Sequence, residues 1–425
     1  MEVAVLFAVF LICLIVGVPV AISLGLSSLA YLLLTGIPIV VMSQKIFAGM
    51  DVFVLLSIPG FILAGNLMNN GGITERIIQF ANALVGWIRG GLGLTNIGAS
   101  MLFGGITGTA VADAASIGGV MIPGMKKAGY PADFSAAVTA ASSTVGPIIP
   151  PSVPMIIVGA LSGISVGQMF LAGAIPGIMM GLAMMITCYI IAKRRNFPRE
   201  EWRGFGQLLR SFGKAFWAIA MTGLILFGLL SGIATPTETA IVACVYALVV
   251  GVFIYGELRF SAIPRIVVES GVSAASILAL VGFANVFGWI LVSEQIPQAI
   301  VNAVLSVTDS RILIILMINV VLLIVGMFME TIAALIILFV PLLSLAQAAE
   351  IEPLHFAIFA VLNLMIGLTT PPVGVCLFVC SGIARLPLTP VVIAILPFLL
   401  CNIIVLLLVS FIPAFATWLP GLVFD

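Results

Sequence analysis

Apolar runs long enough to cross a hydrocarbon core of ~30 Å recur from Val3 to Phe424, separated only by short polar breaks. A water-soluble core cannot absorb that pattern in a 425-residue chain that is 62% hydrophobic and 8% charged, with a mean hydropathy of +1.34. Backbone polar groups must be satisfied internally in lipid, so the expected class is an all-α polytopic bundle. The opening run starts "MEVAV", with an acid and no basic n-region, and continues past the length of a cleavable signal, so it reads as a first helix.

Charge orients the bundle. Residues 193–214, "KRRNFPREEWRGFGQLLRSFGK", carry seven Lys/Arg, separate two apolar halves and belong in the cytoplasm as a basic linker. Working outward from them, helices are expected at about Val3–Val16, Pro19–Thr35 and Asp51–Met68. A short interfacial helix follows in "GGITERIIQFANALVGWIRGG". Residues 92–125 are too long for one upright crossing and have basic groups at both ends (Arg89, Lys126, Lys127), which predicts a re-entrant hairpin with "GGITGTAVAD" at its tip. Helices over 133–162 and 167–192 close the first half, residues 1–192. The second half, residues 215–425, repeats the plan: helices at 215–233, 236–256 and 274–292, the short "IPQAIVNAVL", a hairpin over 311–345 around "VGMFMETIAA", and two more helices, the first of them over 354–384. An odd number of crossings per half inverts the second repeat. Lys45 and Arg311 are then the only basic residues outside.

The sharpest internal match sets "SSTVGPIIPPSVPM", from Ser142, against "NLMIGLTTPPVGVC", from Asn363, pairing Gly146 with Gly367 and Pro150-Pro151 with Pro371-Pro372. Proline removes a backbone donor and clashes with the preceding turn, so both helices should break in mid-membrane. Irregular backbone is tolerated there only when it lines a cavity or is buried in protein. A single proline kink would need no functional account; two matched breaks, each after a hairpin and beside small hydroxyls, do. Broken helices offer carbonyls to a cation and amides to an anion.

The segments "FGGITGTAVADAASIGG", "YPADFSAAVTAASSTVGPIIPPSVPM" and "GLTTPPVG" resemble the large membrane subunit of tripartite ATP-independent periplasmic (TRAP) transporters, and the resemblance covers essentially the whole chain. It extends in general likeness to the sialic-acid type. It implies an elevator-type, sodium-coupled transporter of the bacterial inner membrane, with a moving domain of two hairpins and two broken helices. It also implies a small four-helix membrane (Q) subunit and a periplasmic substrate-binding (P) protein. The substrate class is an organic acid, sialic acid or a C4-dicarboxylate, and no cofactor beyond the coupling sodium ion is implied.

Sodium wants several oxygen ligands. The first candidate site joins Thr107, Gly108 and Thr109 to Ser142, Ser143, Thr144, Val145 and Gly146; its mirror joins Gly326 and Thr331 to Gly367, Thr369 and Thr370. Each hydroxyl has a competing role, bonding back to its own helix. An anionic substrate would meet the helix N-termini near Pro151-Ser152 and Pro372-Val373. Asp113 and Glu330, within the hairpins, can compensate sodium charge, orient a tip, carry a proton, or simply face an aqueous mouth. Glu238, after "TPT", reads as a helix cap. His355, after "AEIEP", reads as a boundary or loop histidine, and the six cysteines as small packed thiols without metal spacing. A net charge of zero gives no support to nucleic-acid binding. An intramembrane hydrolase finds neither HExxH nor a histidine placed to serve a serine; an ion- or proton-coupled anion transporter working without a binding protein is the nearer alternative.

Overall fold

A computed structural model describes residues 2–202 and 204–424, the side chains of 105–107 excepted. Among the described residues every regular element is helical. In chain order they are α1 (Glu2–Ile15), α2 (Val20–Thr35), α3 (Val40–Met50), α4 (Ser57–Asn70), α5 (Ile73–Val85), α6 (Gly91–Thr107), α7 (Ala110–Lys127), α8 (Ala132–Ser143), α9 (Val153–Ser162) and α10 (Val166–Arg194). There follow α11 (Phe205–Leu230), α12 (Pro236–Val249), α13 (Ile263–Ser293), α14 (Ile296–Leu305), α15 (Arg311–Phe328), α16 (Thr331–Ala348), α17 (Pro353–Gly367), α18 (Val375–Ala384), α19 (Leu388–Phe411) and α20 (Ala414–Phe424). Eight described helices are long and apolar enough to span a membrane, and α8 with α9 forms a further span bent by 41°.

The local reasons are readable. α12 starts with Pro236 behind a reciprocal cap: Glu238 N–H donates to Thr235 Oγ1 and Thr235 N–H donates to Glu238 Oε2 at 2.8 Å. α6 stops at Gly108, whose φ of +65° suits only a residue without Cβ strain, and whose N–H closes on Gly104 O at 3.1 Å. Three boundaries differ from expectation. The polar-flecked "VVMSQKIFAGM" forms α3, where the sequence reading had no element. α13 begins at Ile263 rather than Ala274, because its first turns are stabilised by proline near the start and an Arg265–Glu269 pair at 2.6 Å, both exposed. The basic linker is shorter than 193–214, since α11 already starts at Phe205.

Contacts at one end of the bundle join the segments that the charge pattern assigns to the cytoplasm. Arg76 pairs with Glu257 at 2.7 Å, Arg89 Nη1 donates to Asn196 Oδ1 at 3.2 Å, Tyr130 Oη to Pro198 O at 3.1 Å, and Lys126 Nζ to Ala384 O at 3.0 Å. At the other end Tyr31 donates to Glu294 and Asn285 Nδ2 to Lys45 O at 2.7 Å. In the centre the two halves interlock. α9, the far arm of the first break, packs on α16; α18, the far arm of the second, packs on α7 and α8.

Candidate functional site

Each break is built from the same parts. α8 ends at Ser143, a 3-10 turn spans Gly146–Ile148, and α9 restarts after Ser152; Pro147 has no N–H to meet the Ser143 carbonyl one turn earlier. α17 ends at Gly367 and α18 restarts at Val375. Both prolyl pairs, Pro150-Pro151 and Pro371-Pro372, are joined by cis bonds.

Each break also presses glycine on glycine against the preceding hairpin. A Cβ placed on Gly104 of α6 would lie 1.8 Å from Gly146 Cα, and one on Gly367 would lie 2.6 Å from Gly326 Cα of α15. The hairpin tips reach the breaks: a Cβ on Gly108 would lie 3.7 Å from Pro151 O, and Gly374 N–H, at a φ of +58°, donates to Met327 O at 3.3 Å. Thus Gly108 and Thr109 are brought beside the first break, and Gly326 beside Gly367. The side chain of Thr107 lies outside the described residues.

The hydroxyls divide. Ser143 and Thr144 donate back to Ala140 O and Ala141 O at 2.8 Å, and Thr369 and Thr370 to Ile366 O at 2.9 and 2.8 Å. These are the helix back-bonds that compete with a ligand role. Ser142 Oγ makes such a back-bond too, to Thr139 O at 3.1 Å, and also faces Ser100 Oγ at 3.0 Å, while Thr331 Oγ1 is fully buried without a hydrogen-bond partner among the described residues. Val145 and Gly146 supply backbone at the turn, where Val145 O accepts from Ile148 N at 3.0 Å. Among the described residues no three His, Cys, Asp or Glu side chains converge as a metal site. A cation held at either break would therefore rest on hydroxyls and carbonyls, a donor set that fits a monovalent hard ion.

The carboxylates part company. Asp113 is fully buried on α7 beside Ser100, and neither of its oxygens meets a partner at full hydrogen-bond geometry among the described residues. Glu330 is accessible at the second tip and caps α16, accepting from Ile332 N at 2.9 Å and Ala333 N at 3.3 Å. The anion positions are likewise unequal. Pro151 and Ser152 are buried, and the Ser152 hydroxyl is occupied, donating to Pro147 O and accepting from Met155 N at 3.3 Å; Pro372 is exposed and Val373 half-buried. His355 does stand at a helix boundary, the third residue of α17, but it is buried, with Nε2 2.8 Å from Val409 O.

Sequence reasoning missed the polar braces behind each break. Asn96 Nδ2 donates to Thr139 Oγ1 at 2.6 Å and Ser142 Oγ to Asn96 Oδ1 at 3.3 Å; in the second half Asn363 Nδ2 donates to Asn319 Oδ1 at 2.8 Å and Asn319 Nδ2 to Ser410 Oγ at 3.2 Å. Their signal was a buried asparagine in each hairpin's first helix and a polar residue on the facing broken helix.

Two hairpins and two broken helices make this a polytopic membrane bundle whose helices are interrupted in mid-membrane. A family model described as "Tripartite ATP-independent periplasmic transporter, DctM component" matches residues 7–415, and the chain belongs to that family. It is the large inner-membrane permease of a transporter, not an enzyme, in a family that works with a periplasmic binding protein and a small membrane subunit. The sialic acid TRAP transporter large permease protein SiaM of Vibrio cholerae is 41% identical over 407 residues, 96% of this chain and 95% of the relative. The C4-dicarboxylate TRAP transporter large permease protein DctM of Pseudomonas aeruginosa is 39% identical over 400 residues, 94% of each chain. The crystal structure of the Alcanivorax borkumensis YdaH transporter shares the fold, with a TM-score of 0.61 at 13% identity over 89% of this chain and 88% of that one.

Proposed function

We propose that the chain carries a small organic acid into the cell by sodium-coupled elevator movement, in which the hairpins and broken helices (α6–α9 and α15–α18) slide as one body along the remaining helices. Residues 1–192 and 215–425 are read as inverted repeats joined by the basic linker. The observation that carries this reading is the paired glycine contact, Gly104 on Gly146 and Gly326 on Gly367, which ties each hairpin to its own break so that the two must move together. Sodium would be held by Thr107, Gly108, Thr109 and 142–146 at one break and by Gly326, Thr331, Gly367, Thr369 and Thr370 at the other. The acid's charge would meet the arm N-termini, with the exposed Pro372-Val373 stretch better placed than the sealed Pro151-Ser152. The relatives' names support sialic acid or a C4-dicarboxylate as the cargo class.

The family assigns capture of the solute to a periplasmic protein and is described as ATP-independent, which supports an ion gradient as the energy source in this reading. In proteoliposomes containing both membrane subunits, uptake should require the binding protein and an inward sodium gradient and be indifferent to ATP. Saturable uptake of free acid without the binding protein would favour the ion- or proton-coupled alternative instead.

A further inference from the structure

At the end of the bundle opposite the basic linker, a cavity of about 390 Å³ opens between α3, α13 and α14 on one side and α9 and α16 on the other. That volume falls among small-molecule sites of roughly 300–1,000 Å³. Most of the wall is apolar, with Ile157 and Ala160 from α9, Ile336 and Val340 from α16, and Val281 and Leu291 from α13. One charged side chain lines it, Lys45. Its Nζ stands 5.2 Å from the centroid of Trp289, over the negative face of the indole. The backbone that carries the lysine is anchored to α13: Asn285 Nδ2 donates to the Lys45 carbonyl at 2.7 Å, and Gly49 lies so close to Asn285 that an added Cβ would be 2.5 Å from that side chain's own Cβ. Among the described residues no carboxylate lies within salt-bridge distance of Lys45.

An ammonium over an aromatic face, without an acidic partner among the described residues, on the wall of an apolar cavity is matched to a ligand with one anionic group and a carbon skeleton. The two walls lead inward to the breaks, since α9 begins at the end of the first break and α16 at the tip of the second hairpin. We propose that this cavity is an outer loading site of the permease: Lys45 takes the carboxylate of an organic acid and Trp289 packs against its skeleton before the acid reaches the breaks. This rests on the transport reading above but assigns a separate site, and a membrane lipid headgroup is the competing source of the same anionic chemistry.

The test uses Ala48→Cys, a substitution at an exposed residue of the cavity wall, in the complete complex of large and small subunits, in phosphatidylcholine nanodiscs. Labelling by an impermeant maleimide is timed with and without N-acetylneuraminate or succinate, with glucose as the neutral control and the protein that retains Ala48 as the background. At least one acid should slow labelling about fivefold or more, in the Lys45 and Lys45→Arg proteins alike, consistent with a charge-assisted contact. Lys45→Gln should abolish that protection while leaving the unprotected labelling rate and the elution profile of the complex unchanged. Equal protection in Lys45→Gln, protection by neither acid, or slowing only when phosphatidylglycerol replaces phosphatidylcholine would each overturn the loading site. Sodium- and binding-protein-dependent uptake is measured on the same preparation; losing that dependence while the introduced thiol stays protected would sink the transport reading alone.

Discussion

Gly104→Ala should break the link between the first hairpin and the first break. The new Cβ would lie 1.8 Å from Gly146 Cα, 2.7 Å from its carbonyl carbon and 2.8 Å from its oxygen, all of them backbone atoms that cannot rotate away. Ordinary contact begins near 3.4 Å, so α6 and the 3-10 turn must part by about 1.6 Å. Overpacking of this kind costs about 1–3 kcal/mol and occasionally more, and the absence of any side chain that can yield puts this case at the upper end, near 3 kcal/mol. In detergent the purified protein should melt roughly 5 °C lower. A second readout separates a loosened core from a disrupted site: the rise in melting temperature on adding sodium should vanish in Gly104→Ala. The control is Gly119→Ala on α7, where no atom lies within 4 Å of the added Cβ and the gain in helix propensity is about 0.5–1 kcal/mol. If Gly104→Ala melts with Gly119→Ala and keeps the sodium shift, the close glycine contact has no bearing on cation binding.

The other expectations are briefer. Ser143→Ala and Thr370→Ala should each raise the sodium concentration for half-maximal uptake about fivefold, the worth of one oxygen ligand of ~1 kcal/mol, with folded protein unchanged; wild-type activation curves for both would leave them as helix back-bonds only. Asp113→Asn removes a buried carboxylate whose oxygens meet no described partner at full hydrogen-bond geometry, so yield and sodium-free melting should hold or improve while sodium stabilisation falls at least about tenfold in apparent affinity; an unchanged sodium titration would remove Asp113 from the coupling machinery. Cysteines at 126 and 311 should react with an impermeant reagent from opposite faces of the membrane, and reaction from one face would defeat the inverted-repeat topology.

What the sequence disclosed was whatever proline, glycine and charge punctuate. The hairpin over 92–125 was legible because basic groups bracket an apolar run with a glycine tip, and the structure turns at Gly108-Thr109. Both breaks were legible because paired prolines cannot continue a helix. α3 was not, since Ser43, Gln44 and Lys45 interrupt its apolar run and its value lies in packing on α13, a contact no local pattern announces. The same limit hid the cavity at Lys45, whose walls come from five helices spread between residues 45 and 341. It also hid the capping duty of Glu330, because a carboxylate within an apolar run looks alike from sequence whether it compensates a cation or accepts from its own helix N-terminus.

The two breaks share a plan but not an environment, and the difference follows from the residue after each prolyl pair. Ser152 caps α9 with its side chain, so a serine closes the first break on itself and both Pro151 and Ser152 are buried. In the second half Val373 stands there instead, and Gly374 starts α18 with no side-chain cap while Pro372 stays exposed. At the second break Gly374 N–H donates to Met327 O at 3.3 Å and Cys376 N–H to Leu368 O at 3.1 Å, so backbone carbonyls take up these amides where a serine hydroxyl does so at the first. The duplicated breaks are therefore sealed differently, and in the proposed reading the exposed Pro372 makes the second the better placed of the two to meet the cargo.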